Sequence, residues 1–160
     1  MAVITNLFKT PVIPSDVFGY EVNTDVGYGR ETFTITVASG VVRVGTILEV
    51  DYAAGTATPI AAPANALAVD ALGDLAVFVG RDLPTNPATA QDFERLTQTA
   101  TGKGVAIVKA DGRGILKKGN LVAGTTRYYK LPADVIAALD AKFTKENRFK
   151  MVEQQYTPAV

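Results

Sequence analysis

The side chains that most often carry chemistry are thinly represented in this chain. Its 160 residues include no histidine and no cysteine. That removes imidazole bases, thiolate nucleophiles, Cys/His zinc sets and disulfides. Carboxylates, lysines and hydroxyls remain. The acids are scattered, without the alternating pattern of a calcium loop. Two carboxylates converging in space stay open, because spacing along the chain does not reveal them. No Ser-x-x-Lys or Gly-x-Ser-x-Gly occurs to activate a serine. Gly102-Lys103-Gly104 lacks the spacing of a phosphate loop. Gly27-Tyr28-Gly29 lacks the third glycine of a dinucleotide fingerprint and precedes a strand pattern, not a helix. The expectation is a non-enzyme with no catalytic, cofactor-binding or metal-binding residues and no cofactor.

Lys+Arg and Asp+Glu are both 16, yet the charges are unevenly placed. Residues 46–100 hold Glu49, Asp51, Asp70, Asp74, Asp82, Asp92 and Glu94 against Arg81 and Arg95. Residues 101–130 hold Lys103, Lys109, Arg113, Lys117, Lys118, Arg127 and Lys130 against Asp111. Two readings follow: complementary faces that meet in an assembly, or neighbouring segments that neutralise each other within the fold. Neither suits nucleic acid, which needs an uncompensated basic surface. Met1–Phe8 has no basic segment followed by a long apolar core, so no signal peptide is expected. Ile60–Leu72 is interrupted by Pro63, Asn65 and Asp70 and is not a membrane span. The chain reads as soluble.

The elements that position these side chains are mainly β. Glu31–Tyr52 alternates Phe33, Ile35 and Val37 with Thr32, Thr34 and Thr36, the period of a half-buried strand. Ser39-Gly40 breaks that run. Val41, Val42 and Val44 follow, then Gly45 as a bend, then Ile47, Leu48 and Val50. The unit reads strand, turn, strand, bend, strand. Upstream, residues 1–15 are apolar, and Pro11 and Pro14 argue against a helix through the second half, so an extended arm is expected. Phe18, Tyr20 and Val22 suggest a short strand. Thr56–Ala62 reads as a return strand, Pro63–Leu72 as loop or one helical turn, and Leu75–Val79 as a strand buried on both faces.

Arg81–Thr101 is an irregular excursion, with either a short helix from Asn86-Pro87 or a strand over Phe93–Thr99. Gly102-Lys103-Gly104, Asp111–Gly114 and Lys117–Asn120 read as turns around short strands at Val105–Lys109, Ile115-Leu116 and Leu121–Ala123. One amphipathic helix begins near Pro132. Val135, Ile136, Leu139 and Phe143 lie on one face, with Asp134 early, Lys142 and Lys145 late, and Asn147 as terminator. Arg148–Glu153 reads as a closing strand. The predicted class is mainly β (α+β): a compact small β-barrel or sandwich of short strands, with one C-terminal amphipathic helix and an extended N-terminal arm. At this length a single domain buries roughly 70% of its unfolded surface.

The run Arg30, Glu31, Phe33, Ile35, then Ser39-Gly40, then Gly45, Thr46, Ile47 and Leu48 resembles the opening of bacteriophage head decoration proteins of the lambda-D-like class. The later order is similar in outline across roughly residues 30–153. The stretch before Arg30 is longer, Arg81–Thr101 is enlarged, and a polar tail is added. The resemblance implies residues 1–29 as arm and first short strand, 30–153 as the β-rich domain and 154–160 as tail. It implies a virion structural protein, made in the host cytoplasm, on the outer surface of the assembled capsid. Its partner would be the major capsid protein. It would itself be a homo-oligomer, trimer favoured with dimer as the other option, acting without nucleic acid or membrane. The residues expected to touch the capsid are Val3, Ile4, Leu7 and Phe8 of the arm. Leu83, Phe93, Arg95 and Leu96 form a second contact or oligomer loop. The alternative is a non-enzymatic β-sandwich binding module of another virion part, tail-associated or carbohydrate-binding.

Overall fold

The computed structural model describes residues 12–20, 29–82, 95–108, 114–146 and 148–153. The strands are β1 (Phe18–Tyr20), β2 (Arg30–Ile35), β3 (Val42–Arg43), β4 (Ile47–Asp51), β5 (Thr56–Pro59) and β6 (Asp74–Arg81), followed by β7 (Thr97–Gln98), β8 (Gly102–Ile107), β9 (Gly114–Lys117), β10 (Val122–Ala123), β11 (Thr126–Arg127) and β12 (Phe149–Val152). The helices are α1 (Pro14–Val17), α2 (Ala66–Asp70) and α3 (Ala133–Lys145).

Alternation inside the Glu31–Tyr52 run builds the wall of a closed barrel with strand order β2-β5-β4-β6-β8. β2 and β5 are parallel, and the other neighbours are antiparallel. Phe33 and Ile35 of β2 point inward, where they meet Leu48, Val50, Ala57, Ala76, Phe78 and Ala106. The intervening residues Thr32 and Thr34 are exposed. On β4, β6 and β8 some outward positions are apolar as well. Ile47, Leu75, Val77, Val79 and Ile107 form a second core with Leu116 and Phe149 of β9 and β12 and with Val135, Leu139 and Phe143 of α3. β6 therefore lies between two cores, which explains why its sequence does not alternate. A three-stranded sheet β1-β9-β12 completes the outer layer, with β1 antiparallel and β12 parallel to β9.

α2 and α3 are tied by the charges that the helix-dipole argument placed at the ends of α3. Asp134 Oδ2 accepts from the Ala66 N–H at 3.0 Å, and Lys142 Nζ donates to the Leu72 carbonyl at 2.7 Å. Asn65 caps α2 by accepting from the Ala68 N–H at 2.9 Å.

Several local expectations change. Pro132 is the N-cap of α3, one position before the first helical residue. The segment after Pro11 is not all extended: α1 begins at Pro14, the first-turn position where a proline costs no hydrogen bond. Gly102-Lys103-Gly104 is not a turn but the start of β8, paired with Phe33–Ile35 of β2. Glycine at 104 serves packing. A Cβ there would stand 2.6 Å from Ile35 Cγ1 and 2.9 Å from both Gln98 Oε1 and Phe78 Cε2. The arm over residues 1–11, the Asn86-Pro87 helix, the turn at residues 111–113, Asn147 and the tail from 154 lie outside the described residues.

Candidate functional site

The barrel has two chemically different ends. At one, β4 finishes, β6 begins at Asp74 opposite Val50, and Glu31 of β2 stands opposite Ala106 of β8. Tyr52 follows β4 and closes over Phe33, with ring centroids 5.9 Å apart and planes at 66°. This edge-to-face contact is the ordinary preference of aromatic pairs. The rim is acidic. Glu49 accepts from the Gly73 N–H at 2.6 Å, and Asp51 accepts from the Ala54 N–H at 3.0 Å to hold the following turn. Glu31 and Asp74 have no cationic partner among the described residues.

Burial, and then the charges of Glu31 and Asp74, push the Tyr52 phenol up to about 12. Such a phenol donates hydrogen bonds at neutral pH and does not act as a base or nucleophile. An open groove lined by Glu49, Val50, Asp51, Tyr52 and Thr58 runs along this wall. Among the described residues, no group of three or more acids is placed to hold a metal ion.

The raised phenol gives a pH dependence with a definite sign. Folded Tyr52 keeps its proton to a higher pH than the unfolded chain does. Its contribution to stability is therefore complete below about pH 10 and is lost as pH rises toward about 12. The amplitude is small, because the side chain is 43% exposed and solvent screens its neighbours. Urea midpoints measured from about pH 9 to 12 should fall less steeply for Tyr52→Phe than for wild type. Parallel slopes in the two proteins would show that Tyr52 feels no acidic surroundings.

At the opposite end the barrel is plugged. Gln98 of β7, 2% exposed, donates from Nε2 to the carbonyls of Ala100 and Gly102 at 3.0 and 2.9 Å. Its Oε1, turned toward Gly104, is one of the buried polar atoms without a partner among the described residues; Arg95 Nε is the other.

Away from both ends, Tyr128 donates to Asp140 Oδ1 at 2.7 Å, while Lys118 Nζ donates to Oδ2. Burial first, and Asp140 second, hold the Tyr128 phenol far above its ordinary value. Tyr128 is 1% exposed, while Lys118 and Asp140 are half-buried, and the three brace α3 against the turn at Lys118–Asn120.

Of the residues singled out by sequence, Val3, Ile4, Leu7, Phe8, Leu83 and Phe93 lie outside the described residues. Leu96 is built into the outer core, and its carbonyl accepts from the Val44 N–H at 3.1 Å, so its side chain does not form a surface contact. Arg95 is half-buried beside Gly80, whose Cβ position would be 2.9 Å from the Arg95 carbonyl oxygen. The acidic rim was not expected. Its signal was the convergence of strand ends, and that depends on closure of the barrel. No protein-family model, curated protein or solved structure matches the chain. No helix among the described residues is long and apolar enough to cross a membrane.

Proposed function

We propose that this protein decorates the outside of an assembled phage capsid and stabilises the shell by bridging neighbouring subunits of the major capsid protein. The observation that carries the reading is that the residues resembling head decoration proteins, Arg30 to Leu48, are one contiguous structural piece. They form β2, β3, the two turns and the start of β4. β2 and β4 are two of the five barrel strands, so the resemblance falls on part of the barrel wall. The apolar residues upstream reach this body at a fixed point. Val12 packs on the outer core, the Ser15 carbonyl accepts from Lys117 Nζ at 2.9 Å, and Val17 is fully buried. Residues 12–17 therefore belong to the body, and not to the arm expected through residue 15.

The proposed mechanism is mechanical. A homo-oligomer anchored at several points on the shell gains affinity through effective concentration, and binding only the assembled state stabilises that state. Purified capsids lacking decoration should co-sediment the full-length protein. Removal of residues 2–11 should weaken that binding by about tenfold or more while the thermal melt stays unchanged, as expected when one anchoring contact is lost. Capsids that fail to retain the full-length protein would refute the decoration reading. Equal retention of the truncated protein would refute the role of the arm.

A further inference from the structure

The end of the barrel opposite the acidic rim presents two arginines that have no carboxylate partner among the described residues. The tight turn from Arg43 to Thr46 is closed by the Thr46 N–H to the Arg43 carbonyl at 2.9 Å and the Arg43 N–H to Thr46 Oγ1 at 3.1 Å. It docks on β10: the Val122 N–H donates to the Gly45 carbonyl at 2.9 Å, and Thr46 bridges Val122 in parallel. Val122 is in turn paired with Arg127 of β11. This junction brings Arg43, half-buried, toward exposed Arg127. Burial, and then the positive charge of Arg127, hold the Arg43 guanidinium below its ordinary value. No carboxylate pairs with either arginine among the described residues. A guanidinium partly removed from water beside a like charge is favoured by an added anion. Val41 and Tyr129, each 57% exposed, stand two residues from Arg43 and Arg127. Arginine and tyrosine are among the residues enriched at interface hot spots.

The same chain carries the complementary group. Glu31 and Asp74 are also without a cationic partner among the described residues. The two groups cannot neutralise each other within one molecule. Arg43 precedes β4 and Tyr52 follows it, and the five residues of that strand span about 17 Å at 3.4 Å per residue. Screening at physiological salt acts over about 8 Å. With a net charge of zero, no overall repulsion opposes association.

We propose that the protein self-associates head to tail, the Arg43–Arg127 pair of one copy seating on the Glu31–Asp74 rim of the next. The contact is heterologous, so it propagates into a closed ring or an open filament and not into a two-fold dimer. This deepens the oligomer part of the functional reading. It is tested without capsids, so its failure is separate from failure of co-sedimentation.

The test is the solution mass of the full chain by light scattering or sedimentation velocity across a salt series. Wild type should exceed the monomer mass at low salt and dissociate as salt rises. Arg43→Glu with Arg127→Glu should weaken association by at least about tenfold, as should Glu31→Lys with Asp74→Lys. Mixing the two reversed proteins should restore association in a filament or even-numbered ring, where every alternating contact is complementary, and in a three-membered ring should restore two contacts of three. If reversal at half-buried Arg43 or Asp74 lowers the melting temperature, Arg127→Glu and Glu31→Lys, both at exposed positions, carry the same test. A monomeric wild type at low salt, or an oligomer whose mass neither reversal changes, would overturn the proposal.

Discussion

Gly45→Ala is expected to cost about 4 kcal/mol of stability, as the sum of two costs. Gly45 has φ +90°, a conformation that strains any side chain by about 1–3 kcal/mol. A Cβ there would also fall on the Asn120 carbonyl oxygen, with Val17 Cγ2 only 3.1 Å away. Backbone does not swing aside as a side-chain tip does, so overpacking adds about 1–3 kcal/mol. The site is also a junction. The Gly45 N–H donates to the Phe78 carbonyl at 3.0 Å, and its own carbonyl accepts from Val122, so the barrel wall and the β10–β11 hairpin both hang on it. Gly40→Ala is the control. It shares a positive φ, +79°, but nothing lies within 4 Å of its Cβ position, so only the backbone strain of about 1–3 kcal/mol should be incurred. Urea unfolding of both variants measures the difference. Equal losses would mean that the turn at Gly45 does not press on Asn120.

That junction also shows how far the sequence could be read. The bend at Gly45 and the turn at Ser39-Gly40 were legible, because glycine among β-branched residues marks a change of direction. The two-sided burial of β6 was legible from the unbroken apolar run Leu75–Val79, and α3 from the spacing of Val135, Leu139 and Phe143. Gly102–Gly104 was misread for a physical reason. Two glycines two positions apart look like a turn when the partner strands are unknown. Here Gly104 lies in a strand because the barrel interior has no room for a side chain beside Ile35, Gln98 and Phe78. The acidic rim and the arginine pair were illegible for a related reason. Glu31 and Asp74 are 43 positions apart, by subtraction of their numbers, and Arg43 and Arg127 are 84 apart. Only the strand order β2-β5-β4-β6-β8 and the docking of a turn on β10 bring each pair together. The uneven distribution of charge was visible in the sequence. Placing Glu31 with Asp74 at one end and Arg43 with Arg127 at the other required the topology.

Phe78→Ala should be the most damaging single truncation inside the barrel, costing about 3–5 kcal/mol, since it leaves a cavity that the closed wall cannot collapse into. Phe78 is fully buried, on the strand that both cores share. Gly104→Ala should cost about 1–3 kcal/mol by the opposite route, overpacking. The two changes are not independent, because the methyl added at 104 points at the ring edge of Phe78, 2.9 Å away. With the ring removed, that methyl enters vacated space. The double variant should therefore lose less than the sum of the single losses, by about 1 kcal/mol or more, which is a coupling between touching groups. Rescue is incomplete, because Ile35 Cγ1 remains 2.6 Å from the new carbon and is itself fully buried. Urea unfolding of the wild type, both single variants and the double variant closes the cycle, provided the slopes agree. Strict additivity would place the Phe78 ring away from Gly104, and with it would go the account of why β8 begins with glycines.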